Sequence, residues 1–316
     1  MEKLPEIKKI YDDIKKLNIQ GATNVAIATF EGMKLYLELT KEEDKQKLFD
    51  EFTKVGDTLA NARENEPLAR NGVTYVHYYF GQRFPDLPDK DVMKQELTKL
   101  CNEYLDMIED TKKDILNKCT KNLTNLDKIL THCHSSTAVS LIKSIGKGDR
   151  NFEVVCTETR PLFQGRITAR SLIESGVKTT LIADSAAESF VIGRGSVPID
   201  AIFIGCDQIT AKGHTINKIG SWGISMSAYY AGKPVYVVSP LLKIDPTSFL
   251  ESIKIEVRES AELWEDSPKG LNMYNPAFEI VDNVLITGYL TEFGMVLPNN
   301  VESVVKEHYP WIENNY

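Results

Sequence analysis

After residue 125 the chain changes period. Six short runs rich in β-branched and apolar residues, 128–133, 153–157, 179–183, 201–206, 234–239 and 283–287, are each followed by a segment long enough for a helix or a crossover. Parallel strands cannot be joined by tight turns, so strands that alternate with helices predict a mostly parallel sheet covered on both faces. Such sheets bind ligands beyond the carboxyl ends of their strands, which makes the six strand tips the places to search for chemistry.

The preceding part has a helical period. Leu97, Leu100, Cys101, Tyr104, Leu105 and Ile108 recur at spacings of three and four, the stripe of a helix with one buried face. Segments 4–17, 21–39, 41–61 and 66–81 also read as helices, and Pro85, Asp86, Pro88 and Asp89 mark a loop. The predicted fold class is α/β: an N-terminal helical domain, residues 1–120, followed by a Rossmann-like, mostly parallel doubly wound sheet, residues 121–316. The polar stretch 118–127 is the expected joint.

Charge narrows the partners. Lys and Arg number 37 against 45 Asp and Glu, a net of −8, and no basic block forms a stripe, which disfavours nucleic acid and acidic membranes. The five cysteines are widely spaced with no C-x-x-C pair, so neither a disulfide framework nor a structural zinc is expected. The first sixteen residues lack the apolar core of a signal peptide, and no apolar stretch approaches 18 residues. A cytoplasmic protein with reduced thiols is expected.

Cys133 falls at the first strand tip, ahead of a helix predicted over Thr137–Ile145 and stopped by Gly146. A helix N-terminus binds phosphate and can lower a thiol pKa toward neutrality, and Ser135, Ser136 and Thr137 add hydroxyls there. By itself Cys133 also fits a buried strand-end residue. His132 and His134 have no carboxylate beside them to complete a metal site, and none is expected. Asp207 follows Ala201–Cys206; such an aspartate suits a proton carrier if desolvated, and equally an N-cap or turn. Arg160 follows the second strand, Asn217 and Lys218 open a Gly-rich helix, and Lys243 follows 234–240. Because parallel strands share direction, these groups can converge on one edge. No phosphate-binding G-x-x-x-x-G-K-[ST] loop, dinucleotide fingerprint or G-x-S-x-G elbow occurs, which leaves acid–base chemistry on a small phosphorylated substrate with no cofactor.

Taken in order, Thr131-His132-Cys133-His134-Ser135, Glu158-Thr159-Arg160-Pro161 with Gln164-Gly165, Ala183-Asp184-Ser185-Ala186, Gly205-Cys206-Asp207 and Asn217-Lys218-Ile219-Gly220 resemble the motif series of one superfamily. It contains ribose-1,5-bisphosphate isomerases, methylthioribose-1-phosphate isomerases and the alpha, beta and delta subunits of initiation factor 2B. Asn275-Pro276-Ala277-Phe278 and Thr291-Glu292-Phe293-Gly294 fit as well, and the similarity spans about residues 4–300. The factor subunits generally lack the catalytic Cys and Asp, both filled here by Cys133 and Asp207, so the resemblance implies an enzyme. The Thr-His-Cys-His-Ser form and the short helical half resemble the ribose bisphosphate branch.

The resemblance also implies the remaining site. Gln20-Gly21-Ala22-Thr23 falls where the isomerases usually have Arg-Gly-Ala, and Arg63 falls where they have the Arg of an Arg-Pro-Thr segment. Gln20 is a departure, since glutamine cannot bind phosphate as a charged fork, and Arg63 is followed by Glu64-Asn65, with Arg70 a nearby charge. Ser135, Ser136, Thr137, Asn217, Lys218 and Lys243 match substrate-contact positions. The implied reaction converts an aldose carrying phosphate on its anomeric oxygen to a ketose, with Asp207 protonating the ring oxygen and Cys133, as thiolate, removing the C2 proton; the roles can be exchanged. The resemblance further implies a homo-oligomer, with a methylthioribose phosphate isomerase or a non-catalytic regulatory protein as alternatives.

Overall fold

The computed structural model describes residues 4–83, 89–123, 125–147, 151–250 and 253–313. It divides into two compact units. The first is Met1–Asp110 with Leu242–Pro246 and Ser303–Tyr316, and the second is Thr111–Leu241 with Thr247–Glu302. The composition shift placed one joint at 118–127; the compact units part within a helix at 110, and two C-terminal stretches join the first unit. A sequence change marks a change of secondary structure, whereas a compact unit is defined by which surfaces pack, and the two need not coincide.

The first unit is built on α1 (Pro5–Lys15), α2 (Ala22–Leu39), α3 (Lys45–Ala60), α4 (Pro67–Arg83) and the start of α5 (Lys90–Cys119). Two begin for a local reason: Pro5 occupies the first turn of α1, and the Asp44 carboxylate caps α3 by accepting from the Lys47 amide. Phe30, Met33, Leu59, Leu68, Leu97 and Tyr104 fill the core between them. Gly56 and Gly72 permit the close helix packing, because a Cβ at Gly72 would lie 2.3 Å from the Tyr104 ring and 2.5 Å from Phe30. Of the expected loop residues, Pro85, Asp86 and Pro88 lie outside the described residues.

The second unit contains β1 (Lys128–His132), α6 (Ser136–Ile145), β2 (Glu153–Thr157), α7 (Gln164–Glu174), β3 (Lys178–Ile182), α8 (Ala187–Val191), β4 (Ala201–Ile204), β5 (Gln208–Thr210), β6 (Thr215–Lys218), α9 (Ser221–Tyr230) and β7 (Val235–Val238). A two-residue β8 (Ile244–Asp245) belongs to the first unit. Then come β9 (Phe278–Val281), β10 (Gly288–Thr291), β11 (Gly294–Val296) and α10 (Val301–His308). The main sheet has the order β11-β10-β7-β4-β1-β2-β3, and every pairing is parallel except that of the edge strand β11. From β1 the chain winds through β2 and β3 to one side, then returns to β4 and proceeds to the other. The order therefore reverses between β1 and β4, the crevice position of a doubly wound sheet.

Three expectations shift. Residues 283–287 are not a strand: Asn283–Leu285 form a 3₁₀ turn, and pairing with β7 starts only at Gly288↔Tyr236. An apolar run gives hydrophobicity but not register. Asn217 and Lys218 do not open a helix. They end β6, which pairs antiparallel with β5 and β9, and α9 starts at Ser221 after Gly220 turns the chain at φ 106°. Likewise β1 stops at His132, because Cys133 has left-handed backbone, φ 67°.

Candidate functional site

Cys133 and Asp207 follow β1 and β4, the strands on either side of the reversal, which pair with His132 opposite Ile204. Asp207 stands between β4 and β5, its amide donating to the Ile216 carbonyl at 2.9 Å. Gly205 sets the approach of the two tips: a Cβ there would overlap Ser135 at 2.5 Å and lie 3.8 Å from Asn217 Oδ1. The second unit thus brings Ser135, Asn217 and the two expected reactive residues to one strand edge.

The backbone of Cys133 is held from several sides. Its amide donates to Thr159 Oγ1 at 3.0 Å, and its carbonyl accepts from Thr168 Oγ1 at 2.8 Å. Thr159 itself has φ 63°, costly for a β-branched residue by about 1–3 kcal/mol. The Asp184 carboxylate fixes it by accepting from the Thr159 and Arg160 amides at 2.7 and 2.6 Å. Behind these lies a buried polar chain. His132 Nε2 lies 2.8 Å from the Ile219 carbonyl, His132 Nδ1 lies 2.7 Å from Thr157 Oγ1, and Thr157 Oγ1 lies 3.3 Å from Thr159 Oγ1.

A carbonyl only accepts, and burial lowers the His132 pKa so that the ring is neutral. The proton must then sit on Nε2, which makes Nδ1 an acceptor from Thr157; Thr159 in turn donates to Thr157 and receives from Cys133. The chain runs one way from the Cys133 amide to the carbonyl that follows Lys218. His132 is a structural member of this network, and among the described residues no cluster of three His, Cys, Asp or Glu side chains can hold a metal.

The thiol departs from expectation. Cys133 retains some solvent access, but burial pushes its pKa up to about 11; Asp207 raises it further, while Lys218 and Arg258 lower it. The expected thiolate is therefore a thiol at neutral pH, because desolvation outweighs the two cations. Ser135 caps α6, its Oγ accepting from the Ala138 amide at 3.3 Å, which leaves the hydroxyl proton to donate. Ser136 is exposed and Thr137 buried.

Lys218 is buried at the end of β6 with its ammonium 4.8 Å from the Phe278 ring centroid, and burial lowers its pKa. Asn217 Nδ2 donates to Ser221 Oγ at 2.8 Å. Arg160 is exposed; it donates to the Leu263 carbonyl at 3.1 Å and stacks on Phe163 at 5.0 Å.

Gln20, Gly21, Ala22, Thr23, Arg63 and Lys243 belong to the first unit. Gln20 Nε2 donates to the Leu17 carbonyl at 2.8 Å, and Gly21 takes φ 84° at the start of α2, where Ala22 and Thr23 form the first turn. Arg63 forms a buried ion pair with Glu66 at 2.9 Å. Lys243 is buried, and Asn71 Nδ2 donates to the Leu242 and Ile244 carbonyls on either side of it, each at 2.7 Å. Sequence reasoning missed Arg258, a cation in a segment without strand or helix periodicity, and the roles of Thr159, Thr168 and Asp184. Their hydroxyls and carboxylate serve backbone geometry, which no spacing rule displays.

The fold and strand-edge site define a class. The profile of the Initiation factor 2 subunit family matches residues 18–298, and the chain belongs to that family. Within it, the chain is 31% identical over 316 residues to a ribose 1,5-bisphosphate isomerase of Methanocaldococcus jannaschii, covering 99% of this chain and 98% of the relative. It is 32% identical to a 5-deoxyribose 1-phosphate isomerase of Clostridium botulinum, covering 94% and 88%. Among solved structures, 5-methylthioribose 1-phosphate isomerase of Pyrococcus horikoshii is similar at a TM-score of 0.74 and 26% identity, covering 98% of this chain and 88% of the other.

Proposed function

We propose that this chain is an aldose–ketose isomerase acting on a pentose that carries phosphate on its anomeric oxygen, with ribose 1,5-bisphosphate as substrate and ribulose 1,5-bisphosphate as product. The observation that carries the reading is the placement of Cys133 and Asp207 at the tips flanking the strand-order reversal. Near-full-length similarity to named sugar-phosphate isomerases supports it.

The protonation of Cys133 turns the expected roles round. A thiol near 11 starts the reaction with its proton in place, so Cys133 donates to the ring oxygen while the Asp207 carboxylate accepts the C2 proton. The C1–ring oxygen bond breaks as the C1–C2 double bond forms, and phosphate stays on C1. The enol then loses its hydroxyl proton, gains one at C1, and becomes the 2-ketone. Lys218 balances the thiolate left by the first transfer. Phosphate contacts within the second unit are assigned to Ser135, Ser136, Thr137, Asn217 and Lys218, with Arg160 contributing only by leaving its backbone partner; Gly21, Ala22, Thr23, Arg63 and Lys243 of the first unit stand as substrate-contact positions that the resemblance alone implies.

Gln20 favours a second reading, a one-phosphate sugar such as 5-deoxyribose 1-phosphate, because a neutral amide turned to Leu17 offers no charge to a phosphate on C5. Parallel assays decide: ketose from the bisphosphate alone supports the first reading, ketose from the deoxy sugar alone the second, and ketose from neither removes both. We further propose a homo-oligomer, since Trp222, Met226, Tyr229 and Tyr230 leave one apolar stretch of α9 exposed. Light scattering giving a single-chain mass at micromolar concentration would remove that proposal.

A further inference from the structure

The segment after Thr247 contains a buried cation that the expected site leaves out. The Arg258 side chain is only 6% exposed. Its backbone is tied to the strand-like stretch around Asn275: the Arg258 amide donates to the Asn275 carbonyl at 2.8 Å, and the Ala277 amide to the Glu256 carbonyl at 2.8 Å. Two carboxylates accompany the guanidinium, Glu256 Oε1 at 3.2 Å from Nε and Glu262 Oε1 at 4.0 Å from Nη1. Glu262 is oriented in turn by Asn275 Nδ2, which reaches it at 3.4 Å and the Glu259 carbonyl at 3.1 Å.

These carboxylates offset the charge without satisfying the donors. Neither Arg258 Nε nor Nη1 makes a hydrogen bond of acceptable geometry, although both atoms are buried. Buried guanidinium N–H groups left without acceptors are costly, and such a position is completed by a water, an ion or a ligand that supplies the acceptor. The charge acts on the strand-tip site: Arg258 lowers the Cys133 pKa and also lowers that of Lys218. Burial makes Lys218 a weaker cation.

We propose that Arg258 is a substrate-binding residue of the strand-tip site, its unfilled N–H groups taking an oxygen of the phosphate on the sugar's anomeric carbon. The choice of phosphate follows from chemistry: that phosphate is attached to a reacting carbon, and Arg258 shares its unit with Cys133, Asp207 and Lys218. Glu256, Glu262 and Asn275 are then positioning residues for the fork. The proposal rests on the isomerase reading for the sugar but not for the anion.

The test uses inorganic phosphate as probe and alkylation of Cys133 by iodoacetamide as readout, with KM for the sugar phosphate measured beside it. The unaltered protein is protected by phosphate. In Arg258→Gln the phosphate midpoint and KM rise about tenfold or more, the loss expected for charge-assisted hydrogen bonds. Arg258→Lys, which retains charge against Glu256 and decides the matter if the glutamine variant does not fold, gives an intermediate shift. A folded Arg258→Lys with unchanged midpoint and KM overturns the proposal, as does absence of phosphate protection in the unaltered protein. If no sugar is turned over but the midpoint still shifts, the isomerase reading fails and Arg258 stands; turnover without a shift gives the reverse.

Discussion

The residues assigned to substrate fall into two sets that are built differently. In the second unit, Cys133 sits on left-handed backbone, braced by Thr159, Thr168 and a one-way chain through His132, beside Lys218 and Asp207. In the first unit, Gln20 turns to its own helix end, Arg63 is paired with Glu66, and Lys243 is held through backbone by Asn71. Strained and over-braced geometry marks the first set, as expected where a proton must be transferred at a fixed place. In the second set left-handed backbone falls outside the assigned side chains, on Leu17 at φ 64°, whose carbonyl holds Gln20, and on Gly21 at φ 84°, where glycine adopts it freely. Within it Gln20 stands where the resemblance implies an arginine.

Several variants can sharpen or break that division. Replacing Lys243 by Gln should raise KM by about tenfold or more with kcat nearly kept, because removing a phosphate cation costs binding in ground and transition states alike; initial-rate kinetics that show a kcat loss instead would move Lys243 into the chemistry. Thr159→Ala removes the acceptor for the Cys133 amide and should act the other way, lowering kcat about fivefold with KM unchanged, the worth of one ordinary hydrogen bond. Gln20→Arg supplies a charged fork and should shift the ratio of kcat/KM for ribose 1,5-bisphosphate over 5-deoxyribose 1-phosphate several-fold toward the bisphosphate, read from competing substrates.

The smallest effect is on stability. Burial raises the thiols of Cys101 and Cys156 to about 12 and those of Cys119 and Cys133 to about 11. Between pH 9 and 11 the unfolded chain has released these protons and the folded chain has not, so stability falls as pH rises through that window. Burial lowers His77, His132, His134 and His214, which costs stability as pH falls below 6.5, where the unfolded chain gains protons. Thermal melts should show a plateau between those limits, and the Cys133→Ser variant should lose a little of the alkaline slope.

How far the sequence disclosed this arrangement depended on what each residue does. Helices with long apolar stripes, such as that containing Leu97, Leu100 and Tyr104, were legible because one face alone packs. Strands buried on both faces were legible as runs, but 283–287 was misplaced because hydrophobicity does not set register. Asn217 and Lys218 were singled out yet assigned to a helix, since β6 is four residues long and Gly220 follows it after only one residue. Cys133 and Asp207 were visible by position at strand tips. The protonation of the thiol was not, because it comes from three-dimensional burial outweighing Lys218 and Arg258, and Arg258 lies about 50 residues along from Asp207.

The central claim is that proton transfer belongs to the pair at the strand-order reversal. The most direct measurement is single-turnover ketose formation by Cys133→Ser and Asp207→Asn, with substrate affinity measured separately by calorimetry. The account predicts a loss of about 10²–10⁴-fold in the chemical step for each variant, with affinity and melting temperature nearly unchanged. Near-normal single-turnover rates in either folded variant would contradict it.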